Sequence, residues 1–434
     1  MPPTRLAPTL AAALLALGLA PACAANAAGD SSPPAFDAGI DAPAADAPVA
    51  DDAPPGACQL SGDERGLDAV PAPPASQALF WDGARLAAVF QVQPSAYELR
   101  YAASDVRLAA LGFTATFTEP LVDCGTAVYP CHAAPALASD GAGGTALVWS
   151  GYDPTHGAMA LYFGRLDPTA GLRGFTVAVP GGADRPQATD LCRLDGGWAA
   201  VWQQAHAARF ATLDAAGLGA APEALSSPAM TAERPRVTCR GGAAWALYTA
   251  QTGADTRAVV FRARPAGGPF GPEVTLALAP LTRPRAVALL ADPVGDGFLV
   301  VLDAEAPAGG GAGAAWLARV GADGAVVDGP RAVLAAAAGE TLVIEAAAIT
   351  PAGDVAVVGT STTADAAHAV FQRVSRAGQP LHPRLDVSDG RPGIAGQPMG
   401  TLVAHLADRW VVSFVAGATG GAGGLYLRTV RCDF

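Results

Sequence analysis

The sequence predicts an all-β chain folded as a seven-bladed β-propeller of four-stranded antiparallel blades, and three observations carry that prediction. A short apolar strand recurs seven times from about Gln77 onward, ending in Phe90, Trp149, Trp202, Tyr248, Leu302, Gly359 and Phe414, at a mean spacing of about 54 residues. Six of these strands follow a turn of Gly and Asp, such as Asp82-Gly83, Asp140-Gly141, Gly196-Gly197 and Asp296-Gly297, residue types that tolerate the positive φ of tight hairpins. A third strand follows each and closes on a second Gly-containing turn, as in Ala160 to Gly171 and Ala207 to Gly217. One blade has two apolar faces and cannot bury either alone, so a ring of neighbours is required, which also explains why the second strands are continuous apolar runs. Alanine is abundant and favours helix on propensity, but alternating runs punctuated by Gly and Pro outweigh it.

The elements read in chain order as follows. Residues 1–22 carry Arg5, an apolar run from Leu10 to Leu19 and the small residues Ala20-Pro21-Ala22, the pattern of an export signal. That run is far shorter than the roughly 20 residues needed to span a bilayer, and no later segment is apolar enough to do so. Residues 24–57 are almost wholly Ala, Pro, Asp, Gly and Ser, with six Asp and no Arg, a composition that cannot form a core and is read with Cys23 as a disordered tether over 23–57. The propeller domain is expected over 58–434. Its last repeat stops at a third strand, Leu425 to Val430, so the segment 58–70 is expected to supply the missing outer strand and close the ring. That closure brings Cys58 near Cys432; Cys124 and Cys131 close a local loop, and Cys192 and Cys239 hold matching inner-strand positions of adjacent blades.

The chain has 27 basic residues, all of them Arg, against 39 acidic ones, and the net charge of -12 argues against a nucleic-acid partner. The spacer holds much of that charge, so the folded part is only mildly acidic. With Cys23 set aside, six cysteines remain and can pair completely in an oxidising compartment.

Leu19-Ala20-Pro21-Ala22-Cys23 resembles the bacterial lipobox, which implies acylation of Cys23 and a membrane anchor, in the outer membrane or at the cell surface. Ordinary cleavage after Ala22 or Ala27, giving a soluble periplasmic or secreted chain, is the alternative. The repeat itself, clearest from Pro135 to Gly171, resembles the secreted propeller-repeat lipoproteins of Gram-negative bacteria, whose blades run from a Pro-opened strand through Asp-Gly and an LVW strand to a Tyr-x-x-Arg-x-Asp-x-x-Gly segment. The resemblance covers about residues 77–430 and implies the fold and an exported location rather than an activity.

Catalytic constellations were sought and none is complete. No S/T-x-D-x-G-x-T-W box of the sialidase-like propellers occurs, Ser139-Asp140-Gly141 being the nearest string. His132, His156, His206, His368, His382 and His405 fall singly with no metal-ligand spacing, so no metal and no cofactor is expected. One feature recurs beyond what folding needs. Arg185-Pro186, Arg234-Pro235-Arg236 and Arg283-Pro284-Arg285 open the inner strands of three successive blades, 49 residues apart. Arg forks bind carboxylate, sulfate or phosphate, so Arg185, Arg234, Arg236, Arg283 and Arg285 are read as a candidate anion rim, with surface pairing to Asp184 and Glu233 as the plainer alternative. The expected function is a monomeric, non-enzymatic binding module for an anionic glycan or a protein partner. The alternatives are an envelope enzyme acting on an acidic glycan and a purely structural envelope component.

Overall fold

The computed structural model describes residues 57–432, apart from the loop residues 70–76, 93–97, 105–111, 118–133, 140–143, 168–170, 306–312, 394–398 and 417–423 and a few single or paired positions. Seven four-stranded antiparallel sheets follow one another around the chain as the blades of a β-propeller. Blades 1 to 6 each run through four consecutive strands, beginning at Gln77, Ala136, Gln187, Thr231, Thr282 and Thr341. Blade 7 takes three strands from Leu402–Leu406, Arg409–Ala416 and Gly424–Cys432, and its outermost strand from the other end of the chain, Cys58–Ala69. The first strand of each blade touches the first strand of the next in a closed cycle, so these strands line the axis. No helix among the described residues is long and apolar enough to cross a membrane. The expected signal peptide, the tether, Cys23, Cys124 and Cys131 lie outside the described residues.

The core is divided among the junctions between blades. Blade 3 shows how. On its second strand, Gly197–Gln204, Trp198, Ala200 and Trp202 pack with Val148, Leu161 and Phe163 of blade 2, while Ala199 and Val201 face Ala244, Ala246 and Tyr248 of blade 4. Alternation along one strand thus serves two neighbours at once, and all five residues are fully buried. The small alanines let blades approach while the tryptophans fill the spaces between them. Seven such clusters join blades 1–2, 2–3, 3–4, 4–5, 5–6, 6–7 and 7–1. Gly359 departs from the aromatic or leucine that ends the other second strands, and the reason is backbone proximity: a Cβ there would lie 2.3 Å from the Val343 carbonyl oxygen.

The ring is locked at two places by covalent bonds. Cys58 and Cys432 face each other in the strand register of blade 7 and form a disulfide across a separation of 374 residues. Cys192 and Cys239 join the first strands of blades 3 and 4.

An ion pair of blade 6 contributes stability that is lost in acid. Arg384 donates to both oxygens of Glu340 at 2.7 and 2.8 Å, holding that carboxyl at about 2, below its ordinary value of 4.5. A carboxylate whose folded pKa is depressed contributes stability that is present above the unfolded pKa and is lost as pH falls through the folded one. The pair is therefore expected to contribute on the order of 2 kcal/mol at neutral pH, disappearing as pH falls from about 4.5 towards 2. Urea midpoints taken across that range should fall less steeply in Arg384→Ala than in the parent; identical slopes would contradict this assignment.

Candidate functional site

The first strand of each of blades 3 to 5 enters the axis through a β-bulge, and this bulge decides which arginines meet. The bulges lie between Gln187 and Asp190, between Glu233 and Arg236, and between Thr282 and Arg285. Each contains a residue in the left-handed region, Ala188 at φ 47°, Arg234 at φ 50° and Arg283 at φ 48°. The 49-residue spacing suggests that the Arg-Pro units are equivalent and that Arg234 and Arg236 share a face, as simple alternation would require. The pairing shows otherwise. Gln187, Glu233 and Arg285 pair with Gln203, Thr249 and Asp303, the residues that follow Trp202, Tyr248 and Leu302 on the second strands. Glu233 precedes Arg234 by one place, whereas Gln187 and Arg285 follow Arg185 and Arg283 by two. The unit in blade 4 therefore lies further into the axis than its counterparts, by three residues relative to blade 3 and by two ladder positions relative to blade 5, although Arg234 and Arg283 hold the same left-handed position of their bulges.

Arg234 is brought by this shift into a cluster of charges from blades 4, 5 and 6. Burial depresses its pKa first; the like charges of Arg285 and Arg236 add to the effect, while Asp303 and Glu345 oppose it. Among the described residues the Arg234 guanidinium has no hydrogen-bond or ion-pair partner. Its neighbours are committed. Arg236 Nε donates to the Val287 carbonyl at 2.7 Å and its Nη1 to the Pro235 carbonyl at 3.1 Å, tying blade 4 to blade 5. Arg285 forms an ion pair with Asp303, whose side chain is 4% exposed. Arg283 stands apart on the surface, 43% exposed, pairing with Asp255 at 2.9 Å and Glu305 at 3.4 Å. Arg185 is half-buried in blade 3, and burial lowers its pKa.

Three carboxylates accompany these arginines, and two of them serve as joints between blades. Val237 N–H of blade 4 donates to Asp190 Oδ2 and Leu191 N–H to its Oδ1, both at 2.9 Å. Glu345 accepts from Gly400 N–H at 2.9 Å, from Thr401 N–H at 2.8 Å, from the Thr360 hydroxyl at 2.8 Å and from the Thr401 hydroxyl. Burial is the largest influence on Asp190, Asp303 and Glu345 and raises all three pKa values despite the nearby cations and donors. Asp303 is different in kind. It occupies the position held by Thr249 in blade 4 and Thr360 in blade 6, whose hydroxyls accept Ala286 N–H at 2.9 Å and Met399 N–H at 2.7 Å from the following blade. Blade 5 places a carboxylate where its neighbours place a hydroxyl, and that carboxylate engages Arg285.

Sequence reasoning alone did not single out Asp190, Asp303 or Glu345. Asp303 had a visible signal, since the residues that follow Phe90, Trp149, Trp202, Tyr248, Leu302, Gly359 and Phe414 read Gln91, Ser150, Gln203, Thr249, Asp303, Thr360 and Val415, and only one of these is charged. Asp190 and Glu345 had none, because their partners are backbone groups of the next blade.

Among the described residues the histidines form no common centre. His156 pairs with Asp153 on a blade 2 turn, His368 pairs with Asp386 at 2.9 Å, and burial pushes His382 and His405 below the ordinary imidazole pKa. Among the described residues the only grouping of three metal-ligating side chains is Cys58, His382 and Cys432. It does not fit an ion. Both sulfurs are in a disulfide, His382 Nε2 accepts Arg373 N–H at 3.0 Å, and Nδ1 bonds the Pro383 carbonyl.

No family model matches the chain, and no curated protein does. Solved structures similar to it include the β-propeller domain of the trilobed protease from Pyrococcus furiosus, at 9% identity over 84% of this chain and 94% of that one, with a TM-score of 0.47. A protein of unknown function from Dyadobacter fermentans is 10% identical over 86% of this chain and 100% of its own, with a TM-score of 0.42. An α-L-arabinofuranosidase from Fusarium graminearum is 11% identical over 68% of this chain and 92% of its own, with a TM-score of 0.42. Function on a propeller lives in the side chains placed at its axis and loops, so likeness at this level bears on the scaffold alone.

Proposed function

We propose that this propeller is a non-enzymatic binding module that receives an anionic group at its axis, against Arg234 and beside Arg236 and Arg285, and that it is exported and held at the membrane by acylated Cys23. One observation carries the binding reading. Arg234 is half-buried among the charges of Arg236, Arg285, Asp303 and Glu345 and has no hydrogen-bond or ion-pair partner among the described residues, so an incoming anion supplies the missing charge and acceptors together. The carboxylates favour binding over hydrolysis. Acid–base cleavage of a glycan needs two carboxyl groups open to substrate, whereas both oxygens of Asp190 and both of Glu345 already accept hydrogen bonds. A purely structural component has use for the axial charges that join blades, but not for Arg234, which has no hydrogen-bond or ion-pair partner among the described residues.

Thermal melts of the mature chain with polygalacturonate, heparin and inorganic phosphate test the reading, since a ligand that binds only the folded state raises its melting temperature. A stabilisation that shrinks at high salt in the parent and is absent in Arg234→Gln is expected. No stabilisation by any of the three anions would count against the site, and release of reducing sugar from polygalacturonate would establish the enzymatic alternative instead. Anchoring is tested separately by metabolic labelling with a fatty acid, where incorporation is expected in the parent and not in Cys23→Ala. Equal labelling of both would refute the anchor.

A further inference from the structure

We propose, resting on the anion-binding reading above, that Asp303 is a specificity-determining residue that keeps Arg285 occupied and thereby restricts the axial site to ligands bearing a single negative charge, carboxylates of the uronic-acid kind, while excluding sulfate and phosphate dianions. The argument starts from charge balance. The cluster holds the guanidinium groups of Arg234, Arg236 and Arg285, with Arg257 facing Asp303 as well, against the carboxyl groups of Asp190, Asp303 and Glu345. Asp190 and Glu345 are fixed by backbone donors, and Arg236 is fixed by the Val287 and Pro235 carbonyls, so none of the three changes partner without opening a joint between blades. What remains adjustable is Arg234, which has no partner among the described residues, and the Arg285–Asp303 pair.

A carboxylate ligand needs one guanidinium fork and finds it at Arg234. A dianion needs a second cation, but Arg236 is held by the Val287 and Pro235 carbonyls and Arg285 is already neutralised by a buried carboxylate that would also repel the second ligand charge. Like charges brought together in a desolvated site reject a ligand more strongly than a missing contact does. Blades 4 and 6 show that the fold does not require an acid at this position, because Thr249 and Thr360 fill it with a hydroxyl. The acid in blade 5 is thus free to serve selection.

The groups that face Asp303 are Arg285 from its own blade and Arg234 and Arg257 from blade 4. Burial raises its pKa, so acidification neutralises it ahead of an ordinary aspartate and relaxes the exclusion. In the parent protein sulfate binding is therefore expected to strengthen as pH falls, while in Asp303→Asn it should be independent of this group.

The test is calorimetric titration of the mature protein with galacturonate, sulfate and inorganic phosphate at mildly alkaline pH, using the parent, Asp303→Asn and Asp303→Thr. The threonine variant reproduces the side chain of the neighbouring blades and keeps the test open if the asparagine variant does not fold. The parent should bind galacturonate at least about tenfold more tightly than sulfate, and either variant should raise sulfate and phosphate affinity by about tenfold or more while changing galacturonate affinity little. A sulfate-to-galacturonate ratio unchanged by both variants would overturn the role of Asp303 and leave the anion site standing. Failure of all three proteins to bind any of the three anions would overturn both.

Discussion

Replacing Cys58 and Cys432 by alanine is expected to cost up to about 6 kcal/mol of stability. The bond closes a loop of 374 residues, and in the chain-entropy account the constraint on the unfolded chain grows with loop length. The Cys192–Cys239 bond, spanning 47 residues, is expected to contribute less, about 4 kcal/mol by the same reasoning. The two bonds also differ in position. Cys192 and Cys239 link first strands at a junction already joined by the Asp190–Val237 hydrogen bond, whereas Cys58–Cys432 fixes the one blade assembled from both ends of the chain. Opening it leaves the outer strand of blade 7 held by its strand pairing and by contacts such as those of Leu60. Urea unfolding under oxidising conditions checks the expectation: the double variant should unfold at lower urea, and added reductant should shift the parent further than the variant. Equal midpoints for parent and variant would show that strand pairing alone closes the ring.

The second large effect joins stability to binding at one residue. Arg234→Asn is expected to raise the melting temperature of the unliganded protein while abolishing stabilisation by anions. Arginine cannot lose its proton at any accessible pH, so the penalty of its desolvation, aggravated by Arg236 and Arg285, is carried by the folded state. Its backbone adds to this at φ 50°, a conformation that asparagine adopts more readily than arginine. Relief of the two costs should be worth about 1–2 kcal/mol. A variant that melts below the parent would mean that the guanidinium is satisfied in the free protein and needs no anion.

Much of this architecture was legible in the sequence because it depends on local chemistry. The paired turns, the apolar second strands and the seventh repeat lacking an outer strand are all consequences of side-chain patterning, and the structure places a strand from Cys58 to Ala69 in the gap. The Arg-Pro units were equally visible, but their relation was not. Constant spacing implied equivalence, whereas the strand registers set Arg234 deeper than Arg185 and Arg283 and left Arg283 at the surface with Asp255 and Glu305. A bulge adds one residue to a strand without a composition of its own, so counting residues cannot reveal it. The carboxylates at the axis were hidden for a related reason: Glu345 and Asp190 are understood only once the following blade supplies their donors.

The central claim is that Arg234, and not the general surface charge, holds the ligand. Calorimetric titration of trigalacturonate into the mature parent protein, Arg234→Gln and Arg283→Gln addresses it most directly, because the two variants remove the same charge from the axis and from the exposed surface. The account predicts saturable binding in the parent, the same affinity within about twofold in Arg283→Gln, and no detectable binding in Arg234→Gln. Undiminished binding by Arg234→Gln, or an equal loss in both variants, would contradict it.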